Sequence, residues 1–224
     1  MTTKLGGSIV LGLWLVACRL PLEPTDIVGG ESAAASSFAH VVGLTSPRDY
    51  DRDEWMPGGR WADADGDCQD TRAEVLIEES FEAVSFSDAR ACRVVAGLWR
   101  DEYSGSVYRD ARILDIDHLV PLAEAHASGG WAWAPSAKAA YANDLASPDH
   151  LVAVHRSLNR QKGARTPADW RPPSRRAWCA YAAAWRAIKE RYGLALGAAE
   201  RLALDEMRSG CFVKRNVYNE RAEE

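Results

Sequence analysis

Asp115, Asp117 and His118 fall within four positions, at the head of the stretch "DIDHLVPLAEAH". Acidic residues beside a histidine have three ordinary uses: a surface turn, a metal site, or a general base with its ligand. Further along the chain, Asn159 opens "NRQKG" (159–163). A phosphodiester hydrolase needs a hard cation on oxygen ligands, to stabilise charge on the phosphate and the leaving oxygen. It also needs a nearby base that is neutral at working pH, for which histidine is the natural side chain. Asp117 offers a carboxylate ligand, Asn159 a carbonyl ligand and His118 the base. Arg160 and Lys162 would stand beside the metal as phosphate contacts, and Asp115 is close enough to support the ligands. Each residue alone has a plainer reading. Asp-His at a strand end is usually a turn, and Asn-Arg-x-Lys-Gly is a common helix end with a glycine cap.

These residues need elements to hold them. "CRVVAGLW" (92–99) and "VYRDARILDI" (107–116) are rich in β-branched and aromatic residues and read as strands. Asp117 and His118 close the second, where adjacent side chains point to opposite faces. "LVAV" (151–154) reads as a short apolar strand, and "HRSLNRQKG" as a helical turn or two closing at Gly163. Thr71-x-x-Glu74 has the form of a capping box opening a short helix. "SAKAAYANDL" (136–145) is helical after Pro135. The clearest helix is "RRAWCAYAAAWRAIKERYG", in which Trp178, Tyr181, Trp185, Ile188 and Tyr192 recur at helical spacing. A last helix, "AAERLALDEMRSG", ends at Gly210. Helices flanking a small antiparallel element make an α+β class.

"DHLVP" followed by "NRQKG" resembles the HNH, or ββα-metal (His-Me finger), endonuclease motif. The likeness extends to the flanks of exported bacterial HNH nucleases, here "YDRDEW", "DCQDTRAEVL", "GLWRDEYSG", "YANDL" and "NRQKGARTPADWRPP", and covers roughly residues 48–211. It implies a ββα-metal core surrounded by helices, with Asp117 as metal ligand, His118 as the water-activating base and Asn159 as the last motif position. One divalent metal is implied, with Mg2+ ahead of Mn2+, since asparagine in place of histidine keeps the site oxygen-rich and disfavours Zn2+. The middle position of the motif has no unambiguous match. Asn143 or Asp144, in "YANDL", is the candidate, closing a loop or orienting His118.

Composition neither excludes nor requires such a function. The chain has 224 residues, 47% of them apolar, nine Trp, and a formal charge of −5. Evenly spread, that charge would oppose a polyanionic partner. Between Leu151 and Arg191, however, ten Arg/Lys face only Asp169 and Glu190, a local charge of +8. A solvated Arg-rich face is an equally good reading of charge alone.

The amino terminus reads as an export signal: Lys4, a short apolar run, then Leu15-Val16-Ala17-Cys18, which resembles the lipobox of bacterial lipoproteins. Residues 1–18 are thus expected to be a lipoprotein-type signal with Cys18 lipidated, 19–46 a flexible tether, 47–213 the HNH endonuclease domain and 214–224 a charged tail. Export would lead to an envelope lipoprotein or a secreted form. With Cys18 set aside, four of five cysteines remain, an even set that reads as two disulfides in an oxidising compartment. Sequence proximity pairs Cys68 with Cys92 and Cys179 with Cys211, one of three connectivities. A four-cysteine zinc site lacks the C-x-x-C spacing.

Asp63, Asp65, Asp67 and Glu74 mimic an EF-hand loop, but Cys68 stands where the turn needs glycine and Glu74 already serves the capping box. Glu124 and His126 follow Pro121 and could face the cleft, with a surface position the better reading for His126. His150 and His155 bracket "LVAV", as phosphate contacts or packing groups. The expected function is hydrolysis of DNA, with RNA as the alternative substrate, at low sequence specificity and, by the resemblance, leaving 5′-phosphate ends. An inhibitor or immunity protein is a further expected partner. The rivals are a non-catalytic envelope module binding polyanions or a protein, and a zinc hydrolase recruiting His150 or His155.

Overall fold

The structure is a computed structural model and describes residues 49–147 and 149–211. The signal, Cys18, the tether and the charged tail lie outside the described residues. The described body is an α+β arrangement of two small antiparallel sheets with helices around them. No helix among the described residues is long and apolar enough to cross a membrane.

Helix α1 (Thr71–Glu78) leads into β1 (Ser85–Phe86), β2 (Val94–Arg100) and β3 (Val107–Asp110), a three-stranded sheet in the order β1-β2-β3. The chain then crosses a 3-10 turn at Ala111–Ile113 into β4 (Leu114–His118), which pairs with β5 (Leu151–His155) in a separate two-stranded sheet. Between them lie α2 (Leu122–Ala127) and α3 (Pro135–Ala142). Helix α4 (Arg156–Lys162) follows β5 directly and packs on both β4 and β5. Helices α5 (Trp178–Arg191) and α6 (Ala198–Ser209) complete the body.

The expected single strand at 107–116 is two strands. Asp110 accepts a hydrogen bond from Arg112 N at 2.9 Å, and Arg72 donates to the carbonyls of Ala111 and Leu114. These bonds hold the chain in a turn that transfers it from one sheet to the other. The expected capping box is also corrected. Asp70, not Thr71, caps α1 by accepting from Ala73 N, while Thr71 Oγ1 shares its one proton between Ala62 O and Asn143 Oδ1.

The run "LVAV" is continuous rather than alternating because β5 is buried on both faces. Leu151 and Ala153 join Ala73, Leu76, Trp99, Leu114 and Ile116 in one core. Val152 and Val154 join a larger core with Trp55, Tyr141 and the stripe of α5, where Tyr181, Trp185 and Ile188 are buried. A buried side chain of that size contributes roughly 1.5–3 kcal/mol. In the β4–β5 register Asp117 lies opposite Val152 and Asp115 opposite Val154, so both aspartates share the face that α4 covers. The free edge of β5 is satisfied by side chains: Glu79 Oε2 accepts from Ala153 N at 2.9 Å and Asp101 Oδ2 from His155 N at 2.6 Å.

Two disulfides staple the body. Cys68–Cys92 ties the loop before α1 to the start of β2, and Cys179–Cys211 ties α5 to the residue just after α6.

Candidate functional site

Asp117, His118 and Asn159 line one pocket of about 300 Å³, together with Tyr50 and Arg52 and the short backbone of Gly163 and Ala164. Strand β4 supplies the first two and helix α4 the third.

His118 is held tightly. Its Nε2 lies 2.9 Å from the carbonyl oxygen of Ala142, and its ring is stacked between Trp61 (centroids 5.3 Å apart) and Tyr141 (6.4 Å). A carbonyl only accepts, so Nε2 carries the proton and Nδ1 of the neutral ring keeps its lone pair. Burial pushes the imidazole pKa down to about 3, helped by the nearby charges of Arg52 and Lys162. The ring is therefore neutral across the working range. Nδ1 makes no hydrogen bond among the described residues and is not sealed from solvent.

Asp117 is buried, and its Oδ2 is spoken for. Tyr103 Oη donates to it at 2.5 Å and Lys162 Nζ lies 2.7 Å away. Tyr103 reaches this position because Asp101 Oδ1 accepts from the amides of Tyr103 and Ser104, both at 2.8 Å, and so shapes the turn after β2. Burial raises the Asp117 pKa, and the ammonium of Lys162 opposes that rise. Burial alone lowers the Lys162 pKa, against the pull of Asp117. Oδ1 of Asp117 has no hydrogen-bond partner among the described residues and is not sealed from solvent. Asn159 follows the same pattern: Nδ2 donates to Asp115 Oδ2 at 3.3 Å, which leaves Oδ1 open. Asp115 thus sits behind Asn159.

Lys162, expected beside the metal as a phosphate contact, is fully buried beneath the site. Besides Asp117 it donates to the backbone oxygen of His118 at 2.9 Å. The reason is helical spacing: residue 162 is three after Asn159, which puts both side chains on one face of α4. Arg160, one position after Asn159, turns away and is exposed, and it does not line the pocket.

Asn143 closes a loop. Its Oδ1 accepts from Ala62 N and Thr71 Oγ1, both at 2.9 Å, and its Nδ2 donates to Ala139 O at 3.0 Å. This fixes the peptide next to it, whose Ala142 carbonyl holds His118. Asp144 has a different task from the one expected. It accepts a short hydrogen bond from Tyr192 Oη and stands 3.5 Å from Arg191 Nη2.

The remaining candidates sort by burial. Glu124 pairs with buried Lys189, which also meets Glu200 at 2.8 Å. His126, expected at the surface, is buried beside the rings of Tyr50 and Trp55. His150 is buried against Tyr141 and shares a hydrogen bond with its carbonyl, and His155 caps α4. Neither lines the pocket. The basic segment is partly consumed as well. Lys162 and Lys189 are buried in ion pairs, while Arg171 and Arg186 pair with Glu206 and Asp205 on α6. Asp63, Asp65 and Asp67 gather their carboxylates on the surface, where they accept backbone N–H groups of Gly66, Asp67, Cys68 and Gln69.

Sequence reasoning missed Tyr103, Trp61, Arg52 and the Ala142 carbonyl. For Lys162 a signal was present, the three-residue spacing from Asn159. For a backbone carbonyl there is none.

No family model matches the chain, and no solved structure matches it. Over 206 residues it is 33% identical to an uncharacterized secreted protein of Arthroderma benhamiae, a match covering 91% of this chain and 97% of that protein. This overturns the expected membership of an exported bacterial HNH family, because the relative is a secreted fungal protein. The bacterial lipobox reading of Cys18 loses its basis with it. The secreted relative and the two disulfides agree on an extracellular protein. The chain belongs to the family of that secreted fungal protein.

Proposed function

We propose that the protein is a metal-dependent phosphodiesterase acting on nucleic acid, DNA first, with low sequence specificity. The observation that carries this is the division of labour in the pocket. Asp117 Oδ1, His118 Nδ1 and Asn159 Oδ1 are left open, while Asp117 Oδ2, His118 Nε2 and Asn159 Nδ2 are all fixed from behind. Sites built for chemistry hold their reactive atoms in this way. On this reading β4, β5 and α4 form a ββα-metal core.

The donor set fits a hard divalent ion. Asp117 Oδ1 and Asn159 Oδ1 are both oxygens, which suits an ion such as Mg2+ that keeps several waters. Lys162 beside Asp117 offsets part of the carboxylate's charge, so the ion would be held weakly. Such an ion, when bound, supplies charge stabilisation for the phosphate and the leaving oxygen. His118 Nδ1 takes the proton from the attacking water, and the Ala142 carbonyl stabilises the imidazolium that results. Export belongs to this reading, but a lipid anchor at Cys18 does not, since its basis was bacterial.

The test is plasmid nicking by the secreted protein with Mg2+ or Mn2+, with and without EDTA, beside His118→Ala. Cleavage by wild type only, lost in EDTA and reduced about 10²–10⁴-fold in His118→Ala, is the expected result. Equal cleavage by both proteins, or by neither, ends the catalytic reading. The Lys162–Asp117 pair favours one second reading, a non-catalytic polyanion-binding module. Retention of DNA without nicking would establish that instead.

A further inference from the structure

We propose that Arg52 is the side chain that receives the phosphate group in this pocket, a role that the sequence suggested for Arg160 and Lys162. The inference rests on the hydrolytic reading above for its catalytic part. Among the described residues lining the pocket, Arg52 is the one cation. Lys162 lies under the site, buried and committed to Asp117, and Arg160 is not in the lining.

Arg52 has no carboxylate of its own. Its Nη2 lies 3.3 Å from the thioether sulfur of Met56, and it enters no ion pair among the described residues. By contrast Arg109, Arg112, Arg171 and Arg186 each grip an acid at 2.7–2.9 Å. A thioether is a weak acceptor and the Tyr50 hydroxyl, the other partner of Arg52, carries no charge, so no anion competes with a phosphate for the planar fork.

The arginine is nevertheless rigidly mounted. It begins a 3-10 turn, Arg52–Glu54, capped by Asp51 Oδ1 on Asp53 N at 2.9 Å. The turn is anchored by Trp55 and Met56, both within 1% of complete burial. Glu54 in the same turn is paired to the buried Lys138 of α3. The turn thus holds the backbone of Arg52 at the rim of the pocket that Asn159 of α4 also lines. Arg52 lines the same pocket as Asp117, His118 and Asn159, which places it beside their open atoms. Negative charge grows on the phosphate during attack, so the contact strengthens in the transition state and should appear in kcat.

The experiment uses Arg52→Gln and Arg52→Lys in the full chain. Cleavage with Mg2+ is compared with wild type. Separately, binding of a short fluorescein-labelled DNA duplex is titrated against salt, metal-free, on a His118→Ala background. Arg52→Gln is expected to lower kcat about 100-fold. It should also weaken binding and reduce the salt slope by about one counterion, with Arg52→Lys recovering part of both. Wild-type kcat in Arg52→Gln, or an unchanged salt slope, overturns the inference. If wild type fails to cleave, the hydrolytic reading falls separately and the binding titration still decides Arg52. A variant damaged only in its fold would show a lower melting temperature with an unaltered salt slope, which also counts against the inference.

Discussion

Lys162 and Asp117 form an ion pair at 2.7 Å in which the lysine is wholly buried and the aspartate nearly so. Removing one partner strands the other charge away from water. Lys162→Met is therefore expected to destabilise the protein by about 3–5 kcal/mol. Asp117→Asn added to it should recover a large part of that loss. Urea unfolding of the single and double variants checks this, and equal midpoints for wild type and Lys162→Met would refute it.

Asn143 makes three hydrogen bonds that join the 62–71 segment to the end of α3. Asn143→Ala should cost about 1.5–4.5 kcal/mol, since each of the three bonds is worth about 0.5–1.5 kcal/mol net. It should also lower any His118-dependent cleavage beyond what stability explains, because the Ala142 carbonyl loses its support. Thermal melting and cleavage at a temperature well below the transition separate the two effects.

Glu79 is buried behind β5 and its pKa is pushed up to about 7 by desolvation, against the amide of Ala153. The folded state then holds a proton that the unfolded chain, at 4.5, has lost. This contribution is fully present below pH 4.5 and fades as pH rises through about 7. His118 and His150, whose pKa values are lowered by burial, act in the opposite direction over mildly acidic pH. Glu79→Gln isolates the first effect, since an amide oxygen still accepts from Ala153. The variant should gain about 1–3 kcal/mol over wild type near pH 8 and nothing near pH 4. Unfolding free energies that track each other across pH would contradict this.

The two disulfides close loops with sequence separations of 24 and 32 residues. Chain-entropy arithmetic gives about 3–4 kcal/mol for each. Replacing either pair by serines should lower stability by a comparable amount, and the two losses should add. The Cys179–Cys211 variant should also expose α6 to limited proteolysis first, since that bridge ties the residue after α6 back to α5. Denaturation under non-reducing and reducing conditions, with protease mapping, measures both.

Much of the site was legible because side-chain chemistry was written along the chain. Asp117, His118 and Asn159 reach one pocket, and α5 is spelled by its aromatic stripe. What failed did so for geometric reasons. "VYRDARILDI" looks like one strand because composition does not reveal that Asp110 and Arg72 will fold its middle into a turn. Asp144 looks like a partner for His118 until Tyr192, distant in sequence, claims it. The carbonyl of Ala142, which sets the tautomer of His118, has no signature because every residue owns a carbonyl. His126 looks polar enough for the surface, yet it fills a space between aromatic rings.

The two strands and helix that carry the pocket depend on borrowed parts. The outer edge of β5 is completed by Glu79 from beyond α1 and by Asp101 from the turn after β2, while His118 leans on Trp61 and the end of α3. A two-stranded sheet has little stability alone. The unit that carries the pocket is therefore not a portable cassette. A fragment spanning only β4 to α4 would lose those edge ligands and the aromatic wall, and evolution or engineering must move the whole body to move the site.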